Sequence, residues 1–435
     1  MAVIPKNDKR LIRSWSMYDW ANSAYNLVIT STIFPAYYTA ITATEERGDV
    51  VSFFGFEVIN TALSNFSLAV AYLIMAVTLP FISSYADVKG KKKPIMMAFT
   101  YLGAVACMGL FFFRIETLEL GIILFALAAM GYIGGVLFNN SYLPEIASPD
   151  QQDRVSAQGF AYGYVGCVTL QLICLLFILK PDWFGITDPS FGPRLSFLLV
   201  GLWWAGFATI PFKALPGNQK VMTGPSRKLF KTVILEFRII LRKIGRMERI
   251  KRFLPAYFFY AAGVQTVMIV AAAFGAKELH MESSKLIITI LLIQLVAILG
   301  ALIMSKLSER FGNINILIVV VLVWIGICFS AFFIHSEMQF YILACVVGLV
   351  MGGIQSLSRS TYSKFLPENT RDTTSFFSFY DVTEKVAIVM GLLSFGFIEQ
   401  ISHNIRYSAL SLSVFFIVGC LLLFRLLRFN KVMTA

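Results

Sequence analysis

Long apolar runs recur along the whole chain, near residues 15–42, 59–85, 94–113, 118–140, 156–179, 194–212, 253–276, 284–305, 314–334, 339–358, 375–398 and 407–427. A helix needs about 20 apolar residues to cross the hydrocarbon core of a bilayer. None of the runs alternates at the period of two that a barrel strand requires. In lipid every backbone amide must be paired within its own segment, so the runs are predicted to be helices. The pattern therefore predicts an all-α integral membrane protein with twelve transmembrane helices.

The placement of Lys and Arg orients these spans. With the N-terminus inside, the inner segments hold 29 of the 37 basic residues and the outer loops 7, leaving Lys385 within a span. Basic residues accumulate on the cytoplasmic side, so both termini are expected in the cytoplasm (N-in/C-in). Composition agrees with a lipid environment: 57% of residues are hydrophobic and only 14% charged, against roughly 25% charged in a soluble domain. The net charge of +12 follows from this inside bias and calls for no nucleic-acid partner. The polar start, MAVIPKNDKR, predicts no cleavable signal peptide. The six cysteines all fall in predicted helices without CxxC spacing and read as packing residues. The three histidines (His280, His335, His403) fall in predicted outer loops, so neither a metal site nor a Ser–His–Asp set is expected. With no GxxxxGK[ST] loop either, the chain reads as no enzyme and as needing no cofactor.

One inner loop, 213–252, carries twelve basic residues and splits the chain into two sets of six spans. This gives three parts: 14–212 and 253–430 as six-helix bundles, and 213–252 as a basic linker. Within the linker, RKLFKTVILEFRIILRKIGRMERIKR (227–252) mixes apolar and basic residues at helical spacing. That is the pattern of a helix lying on an anionic inner leaflet; a plain charged linker is the alternative. The two halves repeat. SSYADVKGKKK (83–93) ends the second span and SKLSERFGN (305–313) the eighth, setting Asp87 against Glu309 and Gly90 against Gly312. YLPE (142–145) and FLPE (365–368) end the fourth and tenth spans, and Asp153, Ser156 and Phe160 then match Asp372, Ser375 and Phe379. Parallel repeats with a site between them are a transporter architecture.

The 83–93 segment resembles the signature of the major facilitator superfamily between its second and third helices, although Ser83 and Val88 depart from it. YDWANSAY (18–25) resembles the hallmark of the vacuole-effluxer, autophagy-linked branch, supported by RVSAQGFAYGYVG (154–166) and FYDVTEKVAIVMG (379–391). The resemblance implies the major facilitator fold, a monomer, a bacterial inner-membrane location and, by analogy with the fungal members, movement of amino acids. Relatives tend to carry an acid where Ala262 stands; if that acid contributes to coupling there, the resemblance implies that this chain couples differently.

An ionisable group inside a span costs at least about 2.5–3.5 kcal/mol, so each asks for a reason. Asp19, Asn22, Ser23 and Asn26 follow i, i+3, i+4, i+7 and share one helix face. They are expected to wall a cavity for a polar substrate, with Tyr18 and Tyr25 on the same side supplying ring contacts; a polar clamp between helices is the alternative. Asn139, Asn140, Gln265 and Gln294 are further candidates, for the cavity or for helix–helix bonding. Gly159, Gly163 and Gly166 read as close helix packing. In the eleventh span Asp381, Glu384 and Lys385 stand at i, i+3, i+4. Asp381 is expected to pair with Lys385, which leaves Glu384 as the less compensated acid and the proton-coupling group. A purely structural ion pair, with Asp381 solvated at the inner end, is one alternative; Lys385 receiving a substrate carboxylate while Asp19 meets an ammonium group is another. At the inner gate, Asp87 and Glu309 are expected to face the helix N-termini near Ser375 and Ser156, with Gly90 and Gly312 making the turns. The whole predicts a proton-linked carrier of small polar organic solutes, with an exporter of amphipathic compounds or lipids, or a non-transporting sensor or scaffold, as rivals.

Overall fold

The computed structural model describes residues 6–43, 48–217, 229–368 and 370–434. Among the described residues, eleven helices are long and apolar enough to cross a membrane. In the first half they are α3 (Asn60–Lys89), α4 (Lys92–Gly109), α5 (Leu118–Asn140), α7 (Gln152–Leu179) and α8 (Phe191–Ala214), with a single turn, α6 (Leu143–Ile146), between α5 and α7. In the second half they are α10 (Glu248–Leu279), α11 (Ser283–Phe311), α12 (Asn313–Phe333), α13 (Glu337–Phe365), α14 (Thr373–Ser402) and α15 (Ile405–Thr434).

The first apolar run folds as three abutting pieces: α1 (Lys9–Ala24), a π-helical stretch (Tyr25–Ile33) and α2 (Phe34–Thr42). Asp8 starts α1 by accepting the Arg10 and Leu11 amides at 2.8 Å each. Within the wider π turn, the Ser31 and Thr32 hydroxyls donate to the carbonyls five residues back, Asn26 and Leu27. Between the first two runs stands a short hairpin, β1 (Val50–Phe53) with β2 (Phe56–Ile59), Val50 opposite Ile59. The apolar pattern gave no sign of it, because a hairpin this short buries almost nothing.

Among the described residues two large cores form, with a small third cluster of Leu27, Cys167 and Val168. The first draws on α1 to α8 around Trp15, Phe34, Phe138 and Trp204; the second, on α10 to α15, centres on Tyr260, Trp324, Tyr362 and Phe416. Outside them lies an exposed apolar belt, including Leu73, Val77, Val105, Leu299 and Leu421, which suits contact with lipid rather than water. Between the halves, α9 (Leu229–Arg246) runs directly into α10. The end of the molecule that carries α9 is called here the linker side.

The turn glycines do what the sequence asks. Gly90 sits at φ 62 as the C-cap of α3, and Lys91 N–H returns to the Ala86 carbonyl at 2.9 Å. Gly312 ends α11 at φ 82. One boundary differs in a way that matters. The tenth span does not stop at 358 but runs on as α13 to Phe365, so Arg359 lies in a helix, not in an inner loop. No Gly or Pro interrupts residues 354–366, and nothing else stops a helix there.

Candidate functional site

A cavity of about 180 Å³ lies between the halves. From α1 come Asp19, Asn22 and Ser23, and from the start of the π-helical stretch Asn26, together the four residues of the i, i+3, i+4, i+7 face. Asn140 joins them from α5, Arg359 from α13, and Glu384 and Lys385 from α14; Gln265 and Gln294 line the wall from α10 and α11. Tyrosines from both halves, among them Tyr72, Tyr132 and Tyr260, complete the wall. Asn22 is buried with its Nδ2 unpartnered, and Gln294 Oε1 is likewise unpartnered.

Tyr25 is not part of this wall. It lies in the first core, 5.1 Å from the Tyr132 ring and 5.8 Å from Trp204. Tyr18 also points into that core, 2.7 Å from Thr100 Oγ1. The reason is rotational. Each precedes a cavity residue by one position, which turns an α-helix by about 100° for Tyr18 and Asp19 and the wider π-helical stretch by somewhat less for Tyr25 and Asn26. The expected ring contacts are therefore corrected: these tyrosines brace α1 from behind.

Arg359 forms the cavity floor on the linker side. Its Nη1 donates to Asp19 Oδ2 at 3.1 Å and to Asn140 Oδ1 at 3.0 Å. Nε reaches Ser156 Oγ at 2.9 Å and Nη2 the Ser156 carbonyl at 2.8 Å. The guanidinium also stands over Phe160 at 4.2 Å and Trp15 at 4.9 Å. A side chain of the second half is thus held by α1, α5 and α7 of the first. Asn139 does not line the cavity; it is buried behind Asp19 and donates to its Oδ1 at 3.3 Å. Gly159 makes room for this cluster: a Cβ there would meet Asp19 Oδ2 and stand 2.8 Å from Arg359 Nη2. Gly163 and Gly166 bring α7 equally close to Ser23 and to the Trp20 carbonyl.

The α14 cluster holds the expected Asp381–Lys385 ion pair, but Glu384 is engaged more closely. Lys385 Nζ bonds Glu384 Oε2 at 2.8 Å and is 3.6 Å from Asp381 Oδ1. Gln265 Nε2 donates to Glu384 Oε1 at 2.9 Å. Both Glu384 oxygens are therefore occupied, whereas Asp381 Oδ2 is buried without a partner. The less compensated acid is Asp381, not Glu384. The cause lies outside α14: Gln265 arrives from α10, which helical spacing within one segment does not reveal.

On the linker side, contacts between the halves seal the cavity. Asp87 Oδ2 accepts from Ser375 N–H at 2.7 Å and Ser375 Oγ at 2.6 Å, so a carboxylate of α3 meets the N-terminus of α14. Lys92 Nζ bonds Glu145 Oε1 at 2.7 Å and Thr373 Oγ1 at 3.0 Å. Across the pseudo-repeat the roles invert. Asp153, at the start of α7, accepts from Ser308 at 3.0 Å and Asn313 at 2.7 Å and pairs with Lys364. Glu309 is exposed and does not face Ser156, which is engaged with Arg359 and the Ser356 carbonyl. Ser308, one position back, is the residue turned inward. The expected Glu309–Ser156 contact is thus replaced by Ser308–Asp153.

Two packed helical halves with a polar, charge-bearing cavity between them, sealed at one end by contacts between the halves, define a transporter of the major facilitator class. The family model described as "Vacuole effluxer Atg22 like" matches residues 7–433, and the chain belongs to that family. The MFS-type transporter YxiO of Bacillus subtilis is 31% identical over 415 residues, covering 94% of this chain and 93% of its own. Autophagy-related protein 22 of Eremothecium gossypii is 24% identical over 460 residues, covering 94% and 89%. Among solved structures, the human organic anion transporter MFSD10 superposes with a TM-score of 0.72 at 10% identity, over 96% of this chain and 99% of that one. The proton:xylose symporter XylE superposes at 0.69 and 11% identity, over 96% and 95%. At such identities these two share the fold.

Proposed function

We propose that the chain is a secondary active transporter that moves small polar organic solutes, amino acids first, by alternating access coupled to protons. One observation carries this reading: the cavity between the halves is lined by two ion pairs, Arg359–Asp19 joining the second half to the first and Lys385–Glu384 on α14. Arg359 and Lys385 suit a carboxylate and Asp19 suits an ammonium group, so a zwitterion can bridge the two walls. Asn22 Nδ2 and Gln294 Oε1, buried and unpartnered, are further groups for such a solute to satisfy. The linker side is taken as cytoplasmic from the Lys and Arg bias, with residues 9–42 as the twelfth span. On that reading both termini are inside, the conformation faces outward, and the protein resides in a bacterial inner membrane. The bundles are 14–212 and 253–430, joined by the 213–252 linker.

In the cavity region three carboxylates (Asp19, Asp381, Glu384) face two cations (Arg359, Lys385). The excess carboxylate is the coupling group, and the open Oδ2 of Asp381 is where the proton resides. Proteoliposomes test both parts. A panel of labelled amino acids should include one that accumulates when a pH gradient is imposed. Asp381→Asn should abolish that accumulation while preserving substrate exchange, which needs no proton cycle. Flux of amphipathic compounds only, or no flux of any solute, would overturn the substrate assignment. Wild-type accumulation by Asp381→Asn would overturn the coupling assignment.

A further inference from the structure

The linker helix α9 has two faces with different partners. Val233, Phe237, Ile240 and Ile244 lie within about 60° of one another around its axis, and all but the half-buried Phe237 are buried. Phe237 stands between the halves: its ring is 5.0 Å from Phe81 of α3 and 5.8 Å, nearly parallel, from Phe379 of α14. A second tie is polar. Lys243 bonds Asp372 at 2.7 Å, and Asp372 is the N-cap of α14, three residues before the Ser375 that holds Asp87. So α9 spans the outer seam between α3 and α14, the two helices whose Asp87–Ser375 contact helps close the linker side. If those helices part, Phe237 must leave at least one of its two ring partners.

The opposite face carries Arg238, Arg242 and Arg246 at i, i+4, i+8, all exposed. Leu235 and Leu241 flank them, 57% and 49% exposed. Depth identifies what this face meets. Phe81 lies eight residues before the end of α3, and Phe379 six residues into α14. At 1.5 Å per residue, α9 docks roughly 9–12 Å in from the helix ends, close to the level at which amphipathic helices lie between headgroups and acyl chains. An arginine stripe with leucines beside it at that level is complementary to anionic headgroups with acyl chains below.

We propose that α9 is a binding site for anionic lipid headgroups, engaged through Arg238, Arg242 and Arg246, and that headgroup binding keeps the linker side closed by holding Phe237 between α3 and α14. The proposal is independent of the transported solute. It depends on the orientation in the membrane only for which leaflet supplies the lipid, and bilayers of symmetric composition remove that dependence.

The test uses the full chain in nanodiscs, with spin labels at Lys91→Cys and Glu368→Cys and Cys345 replaced by Ala. These label sites lie on opposite halves at the linker side and are exposed. Wild type should populate the short, closed distance more in phosphatidylglycerol-containing discs than in phosphatidylcholine discs. Each basic residue near an anionic surface contributes about five-fold in surface affinity. The triple variant Arg238→Gln, Arg242→Gln, Arg246→Gln should therefore show the same distances in both discs. Phe237→Ala should likewise lose the response while its arginines still retain phosphatidylglycerol in a lipid-retention assay. The proposal is overturned if wild type shows no difference between the discs, or if either variant responds as wild type does. It is equally overturned if inorganic phosphate added to phosphatidylcholine discs reproduces the full response, since the site would then read a soluble anion.

Discussion

The Arg359–Asp19 pair should act as a lock between the two halves, and its strength can be bounded. Both side chains are nearly buried, and the pair joins α13 to α1 across the floor of the cavity. Asp19→Asn keeps the shape and removes the charge. The guanidinium then retains Asn140 and Ser156, so the loss is that of one hydrogen bond between charged groups, about 1.5–3 kcal/mol. If opening the linker side breaks this contact, that loss should shift the population toward the open state by roughly 10- to 150-fold. Arg359→Gln should do more, about 3–5 kcal/mol at the buried limit, since Asp19 is left with the 3.3 Å bond from Asn139. Water in the cavity will bring the observed value toward the lower end. The assay is the linker-side distance between labels at positions 91 and 368, with thermal unfolding in parallel to separate a shift of state from loss of fold. The double mutant completes the cycle: if the two residues act as one lock, its effect will be well below the sum of the single effects. Closed distances unchanged in Asp19→Asn, or strictly additive effects in the cycle, would refute the reasoning.

Three further outcomes follow from the same contacts. Asp87→Asn removes a charge from the α14 N-terminus and should open the linker side by about five-fold, near 1 kcal/mol, whereas Glu309→Gln, at an exposed position, should leave the same distances unchanged. Gly159→Ala should drive a methyl into the Asp19–Arg359 contact at a cost of about 1–3 kcal/mol, lowering substrate affinity in a binding assay while leaving the protein membrane-inserted. Burial, with Asp372 nearby, raises the Glu236 carboxyl above its ordinary 4.5. The protonated form is then favoured in docked α9, so docking is strongest below 4.5 and weakens as pH rises through the higher docked-state value; the mobility of a spin label at Arg242→Cys should rise over that range, and Glu236→Gln should flatten the change.

Because a bilayer offers the backbone no partner but itself, the hydrophobic pattern located the membrane-crossing helices, though not the end of α13 or the π-helical break in the first run. Turns followed from local chemistry as well: Gly90 and Gly312 carry positive φ at the ends of α3 and α11, where the repeat placed them. The α1 cavity face was also legible, since Asp19, Asn22, Ser23 and Asn26 need only helical geometry to share a side. What the pattern could not supply was the rotation of one helix against another. Tyr25 and Glu309 each stand one position from a residue that does face its partner, and only packing decides which of two adjacent positions turns inward. Pairing over long separations was hidden for a related reason. Arg359 and Asp19 are 340 residues apart, and Arg359 looks like an inner-loop cation until α13 is seen to run through it to Phe365. The balance within the α14 cluster was likewise settled from outside, when Gln265 of α10 filled the second oxygen of Glu384 and left Asp381 as the acid with an open site. Local periodicity specifies which residues can share a face; the electrostatic environment of each depends on which other helix that face meets, and that is a property of the tertiary structure.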